Sequence, residues 1–210
     1  MKILVLDNYD SFTYNLVHYV LELVEATVDV IRNDQIALEE VDKYDVIILS
    51  PGPGLPADAG IMPALIKKYY QEKPILGVCL GHQAIGEAFG SNLDNLKRVY
   101  HGIETPVDIT KKDSVLFENI PTPFKAGRYH SWVVKPEELT EALEVTATAE
   151  DGVIMAMRHR EYPVYGVQFH PESVMTPYGK KMLANFLKAA RVPIKFEPEA
   201  IIIPAGKNQA

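Results

Sequence analysis

Three short stretches of this sequence hold residue types that can do covalent chemistry. The first is Gly77-Val78-Cys79-Leu80-Gly81, the thiol counterpart of the Gly-x-Ser-x-Gly nucleophile elbow. Such an elbow holds its nucleophile in a strained turn between a strand and a helix, and its glycines let neighbouring backbones close on it. N–H groups at the start of the following helix point at the sulfur and favour its thiolate form. A lone cysteine is most often a small buried hydrophobe, but the flanking glycines and the strand-to-helix setting favour a nucleophile here. The second stretch is Val167-Gln168-Phe169-His170-Pro171-Glu172. It puts a histidine at the end of a buried strand, where the active-site groups of open α/β sheets gather. Glu172 falls on the same side of an extended chain, where its carboxylate can hold the imidazole and stabilise the protonated ring. The third is Ser50-Pro51-Gly52-Pro53-Gly54-Leu55-Pro56, stiffened by prolines and opened by glycines. Beside the elbow, this loop can aim a backbone N–H at a developing oxyanion, with the N–H of Leu80 as second donor. It has no lysine and no Walker spacing, which argues against a phosphate cradle.

A thiolate nucleophile needs a base, and the base needs an orienting group. Of the six histidines, His18 falls on a helix and reads as a surface or satisfied core residue. His82, three positions after the cysteine, reads as a structural hydrogen-bonding group. His101 and His159 lie near charged or glycine-containing segments and say little. His130 and His170 are the candidates for the base, and His170 has a carboxylate two residues away.

The elements that must position these groups follow from the hydrophobic pattern. Ile3–Leu6, Val28–Ile31, Val46–Leu49 and Pro74–Val78 read as short strands apolar on both faces. Between and after them, Phe12 to Leu23, Met62 to Tyr70 and about Gln83 to Phe89 have helical spacing, the first capped by Asp10 or Ser11. Strands of that kind separated by helices imply a parallel sheet covered on both sides. Beyond about residue 95, Val107–Ile109, Trp132–Val134, Leu143–Ala147, Val153–Met157 and Val164–Phe169 read as strands joined by turns. They form a smaller mixed or antiparallel extension on the same core, ahead of a last helix at about Tyr178–Ala190. The expected architecture is one flavodoxin-like α/β domain over residues 1–190. The tail, 191–210, is expected to be an appendage, disordered in part, whose isoleucine triplet Ile201–Ile203 could dock on a partner or an edge strand.

Composition narrows the partners. Hydrophobic residues make up 47% and charged residues 23%, which excludes intrinsic disorder. A net charge of −7, from 21 basic and 28 acidic side chains, argues against nucleic acid as the main partner. No run approaches the ~20 apolar residues of a membrane helix, and Asp7 interrupts the apolar start, so neither a membrane nor a secretory signal is expected. A single cysteine excludes an internal disulfide framework and points to the reducing cytoplasm.

Taken together, these segments resemble the class I glutamine amidotransferases, a family with a Cys-His-Glu triad. More narrowly the chain looks like the glutaminase subunits of anthranilate synthase and aminodeoxychorismate synthase. The likeness rests on Asp7 to Asn15, Arg32-Asn33-Asp34, Ser50 to Gly54, Gly77 to Glu87, Arg128-Tyr129-His130-Ser131 and Gly166 to Ser173. It implies Cys79 as nucleophile, His170 as general base and acid, and Glu172 as its orienter. It implies that Gln83 and the backbone at Ser131-Trp132 hold the α-amino and α-carboxylate ends of L-glutamine. Gly52, Pro53 and Gly54 would line the amide and, with Leu80, form the oxyanion hole. The implied product is glutamate, with ammonia passed to a chorismate-binding synthase subunit (component I) in a hetero-oligomer. Anthranilate is the favoured end product, with aminodeoxychorismate, or both, as alternatives. No cofactor or metal is expected in this chain; the magnesium is expected on the partner. Ser91-Asn92, Tyr100, Ile103 and Trp132 depart from the family's usual residues, all off the triad, and Ile103 lies in a region that could face the partner. Three other readings compete: a redox sensor built on Cys79, a metal hydrolase with Cys79, His170 and Glu172 as ligands, and an inactive, regulatory relative of the amidotransferases.

Overall fold

Ile3 and Val5 of the first strand, β1 (Lys2–Asp7), turn to one side of the central sheet, Leu4 and Leu6 to the other, and all four are fully buried. The same division recurs in β3 (Val46–Leu49), so the strands that open this fold are covered on both faces. The computed structural model describes residues 1–201. Helices α1 (Thr13–Leu23) and α4 (Gly179–Ala189) cover the first face through Leu16, Val20, Met182 and Phe186. Helices α2 (Met62–Tyr69) and α3 (Leu80–Ala88) cover the second through Leu65, Ile66, Leu80 and Ile85.

Five strands are parallel, in the order β2 (Thr27–Arg32), β1, β3, β4 (Ile75–Val78), β11 (Val164–Val167). Four antiparallel strands continue the sheet beyond β11: β10 (Ile154–His159), β9 (Leu143–Ala149), β6 (Ile103–Ile109) and β7 (Phe124–Arg128). The flavodoxin-like order puts a topological switch between β1 and β3, where ligands of open α/β sheets bind outside the strand carboxyl ends. The loops after β1, β3, β4 and β11 all meet there.

Several local features differ from the sequence reading. Helix α3 begins at Leu80, three residues earlier than the periodicity suggested, because the turn from β4 consumes only Cys79. Trp132–Val134, expected in the sheet extension, is β8 and pairs with β5 (Leu93–Asn95) in a separate two-stranded ribbon. Strand β7 went unrecognised, since Lys125, Gly127 and Arg128 break an apolar alternation carried only by Phe124 and Ala126. The α1 N-cap is Phe12 rather than Asp10 or Ser11; Asp10 acts one turn earlier, its carboxylate accepting the Phe12 N–H at 2.7 Å. The tail is tied down as far as it is described. Ile194 bridges Val24, the Lys195 N–H donates to the Leu23 carbonyl at 2.7 Å, and the Ile201 N–H donates to Pro177 at 2.8 Å. Ile202, Ile203 and the rest of the tail lie outside the described residues.

Candidate active site

Cys79 has φ +51° and ψ −97°, in the left-handed half of backbone space that side chains other than glycine rarely occupy. The turn is forced by crowding on either side. A Cβ on Gly77 would fall on the Gly81 carbonyl, and one on Gly81 would lie 2.7 Å from the Leu49 carbonyl oxygen. Strand β4, its neighbour β3 and the first turn of α3 therefore close on one another only because both positions are glycine. The sulfur is left at the mouth of the first helical turn, and the Cys79 N–H is held by the Val167 carbonyl of β11 at 2.8 Å.

The chain leaves β11 through Gln168, Phe169 and His170. The His170 N–H donates to Gly127 at 3.1 Å, and its carbonyl accepts the Thr176 hydroxyl at 2.7 Å. Helix α4 starts so close to Pro171 that a side chain on Gly179 would fall on the Pro171 carbonyl. With the backbone fixed in this way, His170 Nδ1 lies 2.7 Å from Glu172 Oε1, both side chains buried. Phe12 and Tyr129 meet the imidazole edge-on, with ring centroids 5.4 and 4.8 Å away. Burial pulls the His170 pKa down, but the Glu172 carboxylate, aided by Cys79, outweighs it and holds the ring well above its ordinary range. His170 Nε2 is bound to no protein oxygen or nitrogen, and Cys79 is the group on its open side that acts on the ring.

Cys79 opens on a cavity of about 240 Å³ lined by Gly52, Pro53, Gly54, Gln83, Tyr129, His130, Ser131 and Trp132. Every one of the expected substrate-binding positions except Leu80 borders it. The Leu80 side chain faces an adjoining cavity of about 430 Å³, which also touches Pro53 and Gly54. As the first residue of α3, Leu80 has no intrahelical acceptor for its N–H. The Gly52–Gly54 loop rests directly on this helix start: a Cβ on Gly52 would be 2.7 Å from Leu80 Cδ2 and 2.6 Å from Asn8 Cβ. Asn8 anchors it from behind, donating Nδ2 to the Ser50 carbonyl at 2.8 Å and accepting Asn33 Nδ2 at 3.0 Å.

Gln83 donates Nε2 to the Trp132 carbonyl at 2.9 Å and to Gln168 Oε1 at 3.3 Å, and Gln168 in turn donates Nε2 to the Cys79 sulfur at 3.6 Å. Gln168 was missed as a site residue. The sequence signal is its place two residues before His170, although the structure brings it to the sulfur through a bend after β11 and not by strand alternation. His130 is not the base. It borders the cavity, and its Nε2 accepts the Nε–H of the buried Arg128 at 3.1 Å. Burial, with the neighbouring Arg128 charge, pushes its pKa down to about 3. Arg128 also binds Asp151 at 2.9 Å and stacks 3.6 Å over the ring of Tyr100, which gives the departure at Tyr100 a structural place behind the pocket. Ile103 opens β6, half-buried and paired with Arg128. His82 is fully buried, with Gly166 of β11 packed on its ring. His18 pairs with Glu22 on the surface. Among the described residues, no three His, Cys, Asp or Glu side chains are grouped to hold a metal ion, Cys79, His170 and Glu172 included. No helix among them is long and apolar enough to cross a membrane.

An elbow cysteine after one parallel strand and a buried His–Glu pair after its neighbour define an α/β enzyme with a thiol nucleophile. The model of the family "Glutamine amidotransferase class-I" matches residues 4–190, and the chain belongs to that family. The aminodeoxychorismate/anthranilate synthase component 2 of Bacillus subtilis (strain 168) is 48% identical over 191 residues, covering 90% of this chain and 97% of that protein. The bifunctional protein TrpGD of Thermotoga maritima is 44% identical over 99% of this chain, which spans only 36% of that protein's length. Among solved structures, a putative GMP synthase protein of Thermoplasma acidophilum superposes with a TM-score of 0.80 at 26% identity. That match covers 91% of this chain and 94% of the other.

Proposed function

We propose that this chain is the glutaminase subunit of a chorismate-using synthase. In this reading it hydrolyses L-glutamine through Cys79, His170 and Glu172 and delivers ammonia to a component I partner. The observation that carries the reading is the strained thiol at φ +51° with the buried 2.7 Å His170–Glu172 pair, opening on a cavity of amino-acid size. Both N–H groups of Gln83 are engaged, so its carbonyl oxygen is the atom left to accept the substrate's α-ammonium group. The backbone at Ser131-Trp132 faces the α-carboxylate end, and the side-chain amide reaches Cys79.

The reaction begins when His170 Nε2 takes the thiol proton and the sulfur attacks the amide carbon. The oxyanion forms between the N–H of Leu80 and the Gly52–Gly54 loop, whose donors are fixed before the charge appears. His170 returns its proton to the departing nitrogen and ammonia leaves. It then takes a proton from water, which attacks the γ-glutamyl thioester and releases glutamate. Glu172 stabilises the imidazolium in both halves of the cycle without reacting itself.

The partner supplies the chorismate site and magnesium, and this chain needs no cofactor of its own. Anthranilate is the product we favour. The B. subtilis relative is named for both synthases, which makes sharing between the two the second reading. A single cysteine suits a reducing cytoplasm. The test is the complex captured from a native extract, supplied with chorismate, magnesium and either glutamine or ammonia. Cys79→Ser should lower glutamine-dependent synthesis by about a thousandfold or more and leave ammonia-dependent synthesis intact. Unchanged glutamine-dependent synthesis would sink the proposal, and the product formed decides between the two pathways.

A further inference from the structure

Gln168 is fully buried at the exit of β11, and no step of glutamine hydrolysis described above uses it. Its position is set by the bend in which the chain leaves β11: Phe169 turns into the core, and the Gln168 side chain is brought to the Cys79 sulfur. The Gln168 N–H is fastened to the Met155 carbonyl at 2.9 Å, which fixes the backbone from which the side chain reaches the sulfur. A fully buried amide must place its donors and acceptor or forfeit their hydration. Gln168 places Nε2 on the sulfur at 3.6 Å and Oε1 on Gln83 Nε2 at 3.3 Å.

We propose that Gln168 is a second side chain acting on the nucleophile, its amide donating to the Cys79 sulfur while its carbonyl ties that sulfur to Gln83 in the substrate pocket. When His170 takes the thiol proton, negative charge appears on an atom that already receives an N–H, and hydrogen bonds to charged groups are the stronger kind. The link through Gln83 means that the side chain meeting the substrate's α-ammonium is one amide away from the reacting atom. The other titratable groups near the sulfur are His82 on α3, His130 after β7 and the His170–Glu172 pair. His82 and His130 stay neutral down to about 4 and about 3, so near neutral pH the His170–Glu172 pair is the only charged one of these groups.

The assignment rests on the glutaminase reading for its catalytic meaning, and its test is independent of that reading. The pH dependence of iodoacetamide alkylation, read at the chain's one cysteine, reports on the sulfur with no substrate present. Gln168→Met keeps the length and removes the donor. It should slow alkylation near neutral pH about tenfold or more, the scale for losing a hydrogen bond to a charged group. It should also lower kcat for glutamine more than it raises KM. Gln168→Glu keeps the shape, sets a carboxylate against the sulfur and should slow alkylation further; it carries the test if the methionine variant does not fold. Alkylation profiles that superimpose on the parent's in a folded variant overturn the proposal. A parent that releases no glutamate from glutamine would overturn the substrate reading and leave the alkylation profiles to decide Gln168.

Discussion

Glu172 Oε1 lies 2.7 Å from His170 Nδ1, so the base of the proposed reaction and its carboxylate share one buried hydrogen bond. That contact sets which nitrogen works. With Nδ1 committed, only Nε2 can serve the sulfur.

Glu172→Gln should therefore lower the His170 pKa, because it removes the carboxylate that outweighs burial. The sign follows from linkage. A histidine whose folded pKa is raised adds stability that is fully present below its unfolded value of 6.5 and is lost as pH rises through the raised value. An NMR titration of the His170 Cε1–H signal checks this, with the midpoint expected at lower pH in the variant. The variant's kcat should fall about 10⁴-fold, less than for His170→Ala, since an orienting group is lost and not the reacting one.

Two other histidines predict acid sensitivity. Burial holds His82 at about 4, and burial with the Arg128 charge holds His130 at about 3, against 6.5 in the unfolded chain. Between those values the unfolded chain binds more protons, so stability falls as pH drops from 6.5 toward the folded values. Between about pH 7 and about pH 5 the two together withdraw on the order of 4 kcal/mol. Urea unfolding at about pH 7 and about pH 5 should show the loss. His82→Met should reduce it, because it removes a buried ring that must take up a proton on unfolding in acid.

Gly77→Ala should fail in a different way. The added methyl group meets the Gly81 carbonyl and lies 2.8 Å from the His82 nitrogen, both backbone atoms that cannot move aside. Destabilisation of about 1–3 kcal/mol or more is expected, read from the urea midpoint. Alkylation of Cys79 in the folded fraction should also slow, since the elbow has to open to admit the methyl.

Arg128 joins Asp151 and Tyr100 to His130 behind the glutamine cavity. Arg128→Met leaves the triad untouched but releases the backbone at His130–Trp132. We expect KM for glutamine to rise about tenfold with kcat changed much less. A kcat loss at constant KM would show that the network serves the chemistry and not the pocket.

Much of this was legible in the residues because the relevant signals are local. The strands β1, β3 and β4 announce themselves as apolar runs, the elbow by two glycines around a cysteine, and the His170–Glu172 pairing by closeness in sequence, although the two meet across a tight turn, closed by the Ser173 N–H on the His170 carbonyl at 3.2 Å, and not along the extended chain expected. What stayed hidden depends on contacts between distant segments. Nothing near Trp132 says that it pairs with Leu93–Asn95 rather than with the main sheet. Nothing near His130 says that a buried arginine occupies its nitrogen. Strand β7 is hidden because Arg128, on the same face as Phe124 and Ala126, is a core residue that periodicity counts as surface. The early start of α3 is a steric outcome of the Gly77–Gly81 approach, which no propensity scale records.

Strands β4 and β11 are neighbours in the sheet, yet six other strands lie between them along the chain. During synthesis the thiol emerges long before the imidazole that activates it. A nascent or truncated chain thus carries only an ordinary cysteine. In the proposed reaction, reactivity arrives with the last parallel strand.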